Sequence, residues 1–137
     1  MADSDREAVL SLETASFANP WTAETFGKML ATPVSHVYVA RRSDEQIVGF
    51  CACWVIDGEV HINTIAVDGA CRRQGIGSVL LAGVLECTNA KQATLEVRRS
   101  NRAAIRLYQK HGFAVTAVRP LYYDNPEEDG LILWLNP

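Results

Sequence analysis

The sequence lacks three features that mark whole classes of protein: a long hydrophobic run, an excess of positive charge and a paired cysteine motif. No apolar stretch approaches the roughly 20 residues of a membrane-spanning helix, and the acidic start at residues 1–5 is unlike a signal peptide. The formal net charge of −3 argues against binding along a nucleic-acid backbone, which needs a basic face. We therefore expect neither direct nucleic-acid binding nor membrane association.

The four cysteines are not arranged as a metal site or a disulfide framework. Cys51, Cys53, Cys71 and Cys87 show neither CxxC spacing nor a nearby histidine pair suited to zinc. Cys51 and Cys53 fall on one side of a predicted strand, where small thiol side chains are usually buried. Unpaired cysteines are typical of a reducing compartment, so we expect a cytoplasmic protein without a metal ion.

The length and hydrophobic content of the chain predict one domain over residues 1–137. The sequence is 48% hydrophobic, and no repeat, low-complexity segment or linker interrupts it. Apolar periodicity and capping residues predict helices over 3–17, 22–30, 75–89 and 101–112. Alternating or β-branched runs predict strands over 34–41, 46–56, 59–67, 93–98, 113–118 and 131–135. This order predicts a mixed α/β fold with helices flanking a central sheet of antiparallel and parallel pairs.

The third predicted strand changes its pattern in the middle. Val60 and Ile62 share one parity, whereas Ile65 and Val67 share the other. One extra residue in a strand moves every later side chain to the opposite face. We therefore predict a β-bulge near Asn63-Thr64 that brings both apolar pairs to one face.

A loop rich in glycine and arginine precedes the third predicted helix. The stretch RRQGIG (72–77) does not complete a GxGxxG fingerprint, because Leu80 takes the third glycine position, and no Walker A lysine follows. Free backbone N–H groups and the dipole at a helix N-terminus favour a bound anion, and glycine lets the backbone approach it closely. The loop alone is equally consistent with glycines that only pack the helix against the sheet.

The motifs around this loop favour the anion site. TIAV (64–67) precedes it, and LEVR (95–98) and SNRAAIRLYQKHGF (100–113) follow it. In this order and spacing they resemble the GCN5-related N-acetyltransferases (GNAT superfamily), over essentially the whole chain. The segments NPWT (19–22) and RPLYY (119–123), with Glu128-Asp129 beyond them, resemble the RimI branch. Enzymes of that branch acetylate the N-terminal α-amine of a small-subunit ribosomal protein.

The resemblance implies a GNAT fold, acetyl-CoA as the donor and two catalytic residues. Glu96 matches the glutamate regarded as the general base, and Tyr108 matches the tyrosine that protonates the departing thiolate of coenzyme A. Considered without the family, Glu96 is a residue on a solvated strand face and Tyr108 is a core residue. His61 and His111 are interpreted as structural.

The resemblance also implies the residues that hold the donor. The backbone of the bulged strand is implied to grip the pantetheine arm (Ile65, Ala66 and Val67). The glycine loop is implied to hold the pyrophosphate (Arg72, Arg73, Gln74, Gly75, Ile76, Gly77 and Ser78). Asn101 matches a family asparagine that contacts the cofactor, although a helix-cap role explains it equally well. Tyr122 and Tyr123, predicted in the loop before the last strand, are assigned to the groove for the acceptor amine.

Three functions are consistent with these residues. The first is acetylation of the N-terminal alanine of a ribosomal protein. The second is acetylation of a small amine such as a polyamine, an amino acid or an antibiotic; the lack of an obvious acidic cluster disfavours a polyamine. The third is a non-catalytic acyl-CoA-binding module, which the presence of both Glu96 and Tyr108 disfavours. We predict the first.

The beginning of the chain departs from the family pattern. Family members usually begin with a short strand before the first helix, and Met1-Ala2-Asp3 leaves almost no room for it. We expect this edge strand to be absent or to precede the first residue of this sequence.

Overall fold

The computed structural model describes residues 1–17, 20–72, 74–124 and 126–136. In these ranges the helices are α1 (Arg6–Ser16), α2 (Ala23–Ala31), α3 (Ile76–Cys87) and α4 (Arg102–Lys110). The strands are β1 (Ser35–Arg41), β2 (Ile47–Ile56), β3 (Glu59–Val67), β4 (Gln92–Arg98), β5 (Ala114–Tyr123) and β6 (Glu128–Leu135). Short 3₁₀ turns occur at Asp3–Asp5 and Gly69–Cys71. The predicted mixed α/β fold is confirmed.

The strands form one sheet in the order β1-β2-β3-β4-β6-β5. Neighbouring strands are antiparallel except β3 and β4, which are parallel. A parallel pair needs a crossover connection, and α3 supplies it between these two strands. The predicted mixture of pairings is therefore confirmed, and its one parallel pair lies at the centre of the described sheet.

Each face of the sheet has its own hydrophobic core. Phe50 of β2 lies in a core with Val9 of α1 and Phe26 of α2. Its neighbours in β2, Cys51 and Cys53, point the other way and are fully buried, as predicted, in a core with residues of α3 and α4 (Leu80, Leu81, Val84 and Tyr108). We call the two sides of the sheet the α1/α2 face and the α3/α4 face.

The predicted helix caps form as expected. Thr22 accepts a hydrogen bond from the Thr25 N–H at the start of α2, at 3.1 Å. After α4 the chain reverses at Gly112, whose φ is +95°, and the Phe113 N–H donates back to the Tyr108 carbonyl at 3.1 Å. These local signals place the ends of both helices close to their predicted positions.

Strand β5 is longer than predicted. It runs from Ala114 to Tyr123, so Tyr122 and Tyr123 lie in the strand and not in a loop before the last strand. Pro120 lacks an N–H group and so suits only an edge strand or a bulge, and β5 is at the edge of the sheet and bulges between Arg119 and Tyr123. An edge position and a bulge together let the strand continue past a proline.

The residues before α1 form a 3₁₀ turn at Asp3–Asp5 and contain no strand. The Met1 amino group donates to the Val37 carbonyl of β1 at 3.1 Å, and Arg41 of β1 pairs with Asp5 at 2.6 Å. No helix within the described ranges is long and apolar enough to cross a membrane. Those ranges also contain no group of three histidine, cysteine or acidic side chains that could hold a metal ion.

Glu13 is a buried carboxylate that connects two parts of the α1/α2 face. It is 3% exposed, and its two oxygens accept hydrogen bonds from the Trp21 N–H at 3.1 Å and the Thr64 hydroxyl at 3.2 Å. Burial is the main cause that raises the pKa of Glu13 above its ordinary value. The folded protein therefore favours the neutral acid, and the associated stability is lost as pH rises from about 4.5 through the higher folded pKa.

We expect Glu13→Gln to be at least as stable as the wild type at pH 7. The amide can accept from Trp21 and donate to Thr64, and it has no charge to desolvate. Glu13→Ala should lose about 1–3 kcal/mol, because it leaves the partly buried Trp21 N–H without its acceptor. Urea unfolding at pH 7 and near pH 4 measures both effects. The difference in stability between Glu13→Gln and the wild type should be smaller at the lower pH. A Glu13→Gln variant less stable than Glu13→Ala would contradict this account.

Candidate active site

Strand β3 contains the predicted bulge. Cys53 of β2 pairs with Ile62, but the preceding residue of β2 pairs with Thr64, so Asn63 is the extra residue. The bulge turns Ile65 to the same face as Ile62, as the change in sequence parity predicted. The Asn63 Nδ2 atom is buried and has no hydrogen-bond partner within the described chain.

A gap opens between β3 and β4 at this bulge. The parallel pairing joins Glu59 through Ile62 to Gln92 through Leu95 and then stops. Beyond that point β3 continues beside β2, and β4 continues beside β6. Across the described part of the gap, the backbone N–H and C=O groups of residues 63–67 that face it lack a strand partner. Such groups are ready to bind an extended ligand.

A glutamate–histidine pair borders the gap on the α1/α2 face. His61 is in register with Thr94, so its side chain points to the same face as Glu96, two residues further along β4. The His61 Nε2 and Glu96 Oε2 atoms are 2.8 Å apart, and the Trp54 ring packs edge-on against the His61 ring at 5.6 Å between centroids. The hydrogen bond to His61 lowers the pKa of Glu96 despite partial burial, with a smaller contribution from Arg119. Glu96 is therefore ionised at neutral pH.

Tyr108 lies on the opposite face of the sheet. It is 5% exposed in the α3/α4 core, and its ring centroid lies 5.9 Å from that of Phe113. Burial raises the pKa of Tyr108 well above its ordinary value, with smaller contributions from Cys51 and Tyr123, so the hydroxyl keeps its proton. Glu96 in turn contributes to the pKa of Tyr123. Tyr108 shares its core with Ile62 and Leu95, at which the β3–β4 pairing ends, whereas Glu96 lies on the opposite face of β4.

The N-terminus of α3 lies beside the end of β3. Its N-cap residue, Gly75, has φ +77° and supplies no capping side chain. A Cβ atom at Gly77 would lie 3.3 Å from Leu107 and 3.8 Å from Val67, so a glycine there allows the helix to approach the strand end and α4 closely. The first N–H groups of a helix have no partner within it. This helix end therefore suits an anionic group, as the glycine loop predicted.

The other loop residues differ in their surroundings. Arg72 is exposed, and its Nε donates to the Val67 carbonyl at 3.4 Å. The Ser78 hydroxyl is 2.7 Å from His111 Nε2, so its side chain connects α3 to the end of α4. Gln74 and Ile76 flank Gly75 as exposed and partly exposed residues. Arg73, and Asn19 of the NPWT segment, lie outside the described residues.

Asn101 is the N-cap of α4. Its Oδ1 atom accepts a hydrogen bond from the Ala104 N–H at 3.3 Å. The capping role considered for this residue is therefore confirmed, and a contact of Asn101 with the cofactor stays a prediction.

Tyr122 and Tyr123 form an aromatic pair near Glu96. Their ring centroids are 5.0 Å apart in an edge-to-face arrangement. The guanidinium carbon of Arg119 lies 5.0 Å from the centroid of Tyr122, and that of Arg98 lies 4.6 Å from the centroid of Tyr123. Burial, together with the neighbouring Tyr122 and Glu96, raises the pKa of Tyr123 to about 12. Tyr122 is about half exposed to solvent.

Sequence reasoning did not identify His61 or Arg98 as part of this site. His61 was interpreted as structural, yet it is the hydrogen-bond partner of Glu96. The alternation of side chains could have indicated this contact. If β3 and β4 are parallel and His61 is opposite Thr94, then His61 and Glu96 point to the same face of the sheet. Nothing in the local pattern around Arg98 indicates its contacts with residues far along the chain.

Comparisons with known proteins agree with this fold. The profile of the acetyltransferase (GNAT) family matches residues 6–113. The N-alpha-acetyltransferase RimI of Mycobacterium tuberculosis is 35% identical over 126 residues, which cover 89% of this chain and 79% of that protein. The chain therefore belongs to the acetyltransferase (GNAT) family and is an acetyltransferase. The predicted resemblance to the RimI branch is confirmed.

Two solved structures are similar over nearly the whole chain. The crystal structure of the ribosomal-protein-S18-alanine N-acetyltransferase from Escherichia coli has a TM-score of 0.90 at 29% identity, covering 98% of this chain and 89% of that one. Arabidopsis thaliana Naa50 in complex with the bisubstrate analogue CoA-Ac-MVNAL has a TM-score of 0.81 at 28% identity, covering 98% and 93%. The predicted GNAT fold is therefore confirmed.

Proposed function

We propose that this acetyltransferase transfers the acetyl group of acetyl-CoA to the N-terminal α-amine of ribosomal protein S18, whose first residue would be alanine. Glu96 is the general base and Tyr108 is the general acid. The observation that supports this most is that Glu96 follows the last paired residue of β4 on one face of the sheet, whereas Tyr108 belongs to the core on the other face that contains Ile62 and Leu95, where the β3–β4 pairing ends. An acceptor on one side and a thioester on the other can then meet in the gap.

The donor side of the proposal rests on the end of β3 and the start of α3. The free N–H groups of the first turn of α3, at Ile76, Gly77 and Ser78, would hold the pyrophosphate. The N-cap residue Gly75 has no side chain, which leaves room for this group. Backbone groups of Ile65 to Val67 that face the gap would hold the pantetheine arm, and the Val67 N–H would polarise the thioester carbonyl. The bisubstrate analogue bound by Naa50 joins coenzyme A to a peptide, which supports the same donor here.

The reaction needs three events at the gap. The neutral amine nitrogen attacks the thioester carbon, and a C–N bond forms. Glu96, ionised at neutral pH, takes the proton that the nitrogen loses, directly or through a water molecule. The C–S bond then breaks, and the Tyr108 hydroxyl donates its proton to the departing sulfur. Glu96 is thus already deprotonated when it accepts a proton, and Tyr108 is already protonated when it donates one.

The acceptor side of the proposal rests on the α1/α2 face. Tyr123 packs under Arg98, which is two residues from Glu96 on β4, and together with Tyr122 it would contact the first residues of a polypeptide that approaches Glu96. The similarity to the Escherichia coli ribosomal-protein-S18-alanine N-acetyltransferase supports S18 as that polypeptide. Together these features favour a protein N-terminus over a small free amine.

A peptide panel tests this function. We expect the S18 N-terminal peptide beginning with alanine to release coenzyme A thiol with a kcat/KM at least about tenfold above peptides that differ only in the first residue, the size expected for side-chain discrimination in a pocket. Free polyamines serve as controls and should give no release. Faster turnover of a polyamine would contradict the proposal. Thermal stabilisation by acetyl-CoA without thiol release from any acceptor would also contradict it and favour a non-catalytic acyl-CoA module.

A further inference from the structure

Arg98 connects β4 to the hairpin formed by β5 and β6. Its guanidinium donates to two backbone carbonyl oxygens of the turn, that of Asp124 at 2.7 Å and that of Pro126 at 2.8 Å. Its Nη1 atom is 3.4 Å from Oε1 of Glu128, and its Cζ atom lies over the Tyr123 ring. The Arg98 side chain is 23% exposed, and the Glu128 side chain is 18% exposed. The contact with Glu128 is therefore partly buried, whereas the two hydrogen bonds to the turn carbonyls are exposed to solvent.

The hairpin has a distorted backbone next to its two tyrosines. Residues 120–122 of β5 are opposite Asp129 alone, and Leu121 has φ +51°. The Leu121 N–H donates to Asp129 Oδ1 at 3.0 Å, and a Cβ atom at Gly130 would come within 3.0 to 3.2 Å of atoms of Tyr122 and Tyr123. A left-handed leucine is unfavourable and persists only where its surroundings hold it. The surrounding contacts thus hold the hairpin in a defined conformation. In it, Leu121 is 62% exposed and Tyr122 is 45% exposed to solvent.

The position and chemistry of Arg98 suit it to holding this hairpin. It is two residues after Glu96 on the same face of β4, so its contacts set the place of the tyrosines relative to the Glu96 carboxylate. An arginine can donate to two oxygens at once in a fixed plane and stack on an aromatic ring. A lysine would keep the positive charge, but it could not donate to two oxygens in one plane or stack on the ring.

We infer that Arg98 is a positioning residue for the acceptor, because it fixes the hairpin surface of Leu121, Tyr122 and Tyr123 beside Glu96. The inference rests on the proposed function, which puts the acceptor polypeptide on this side of the gap. It goes beyond that function by assigning acceptor affinity to a side chain that contacts neither the acceptor nor the donor. Arg98 should therefore influence the KM for the peptide and leave the donor side unchanged.

Steady-state kinetics of the full chain test this assignment with the S18 peptide as acceptor. We expect Arg98→Lys to raise the KM for the peptide about tenfold, the size of one lost charge-assisted hydrogen bond. The KM for acetyl-CoA and kcat at saturating peptide should stay within about twofold. Arg99→Lys is the matched control, because the Arg99 side chain is 57% exposed and its contact with the described chain is a long ion pair with Asp129, at 3.8 Å. It should behave like the wild type in every constant.

Hydrogen exchange of the hairpin amides provides a second measurement that needs no acceptor. Amides of residues 119–129 should exchange about tenfold faster in Arg98→Lys than in Arg99→Lys, while those of α3 should not change. Equal exchange, an unchanged peptide KM, or equal losses for peptide and acetyl-CoA would each overturn the inference. If the wild type acetylates no peptide, the proposed function fails and the acceptor role of Arg98 fails with it. In that case the exchange rates still decide whether Arg98 holds the hairpin.

Discussion

Replacing Glu96 by glutamine is expected to slow acetyl transfer to an alanine peptide by about 10² to 10⁴-fold at neutral pH, the usual size of general-base catalysis. Glutamine has nearly the same shape and can still form a hydrogen bond with His61, so the gap should keep its form. The variant loses only the anionic oxygen that takes the amine proton. Acetyl-CoA affinity, measured by calorimetry, should stay within about twofold, because Glu96 is not among the groups proposed to hold coenzyme A.

The pH dependence distinguishes a base from a structural residue. An α-amine has a pKa of about 8, so above that pH much of the acceptor is already neutral. Both the wild type and Glu96→Gln gain equally from this, so the deficit of the variant in kcat/KM should shrink as pH rises from about 7 to about 9.5 only because hydroxide replaces Glu96 in taking the proton that the attacking nitrogen loses. Glu96→Asp is a matched control that keeps the charge on a shorter side chain, and it should retain part of the activity at pH 7. Full activity of Glu96→Gln at every pH would contradict the assignment of Glu96 as the general base.

His61 explains why a partly buried glutamate can serve this role. Burial alone would raise the pKa of Glu96, whereas the hydrogen bond at 2.8 Å outweighs it and lowers the pKa. The proposed base is therefore ionised before the substrate arrives. A carboxylate of low pKa is a weak base towards a free ammonium, so proton transfer is most favourable as the nitrogen attacks and its N–H becomes acidic. The geometry thus favours direct attack by a neutral amine.

Local patterns predicted the features that local chemistry determines. The parity change in β3 predicted a bulge near Asn63-Thr64, because side-chain alternation and burial of one face leave few other solutions. Thr22 and Gly112 predicted a helix start and a helix end for similarly local reasons. The face of Glu96 followed from the alternation of β4. Each of these signals lies within a few residues of the feature that it predicts.

The remaining features depend on which residues meet across the sheet. The contact of His61 with Glu96 requires the register of two strands that are separated by α3. The extension of β5 past Pro120 requires an edge position and a bulge that pairing with β6 creates. The role of Arg98 depends on carbonyl oxygens more than 25 residues away, at Asp124 and Pro126. A single sequence contains no local signal for these long-range pairings.

The arrangement of the two proposed catalytic residues follows from the parallel pair. Side chains of β4 alternate between faces, and Glu96 points to the α1/α2 face. Tyr108 belongs to the helix that packs on the other face. A continuous sheet would separate the two residues, and the early end of the β3–β4 pairing removes that barrier. The bulge and the gap are therefore as important for the proposed chemistry as the two side chains themselves.

Replacing Tyr108 by phenylalanine is expected to lower kcat by about 10²-fold, because the departing thiolate loses its proton donor. The ring keeps its contact with Phe113, and the lost hydroxyl has no hydrogen bond within the described chain. Thermal unfolding should therefore shift by little. Tyr108→Ala, in contrast, should cost about 3–5 kcal/mol of stability, because it removes a large buried side chain.

The ratio of two effects tests whether Tyr108 acts on the leaving group. The dissociation constant of acetyl-CoA should change by less than about threefold in Tyr108→Phe, because the hydroxyl is needed mainly as the C–S bond breaks. Tyr123→Phe is the matched control: it removes another partly buried phenol near Glu96, and it should raise the peptide KM more than it lowers kcat. If Tyr108→Phe weakens acetyl-CoA binding as much as it lowers kcat, the hydroxyl is a binding group, and the proton on the leaving thiolate must come from solvent.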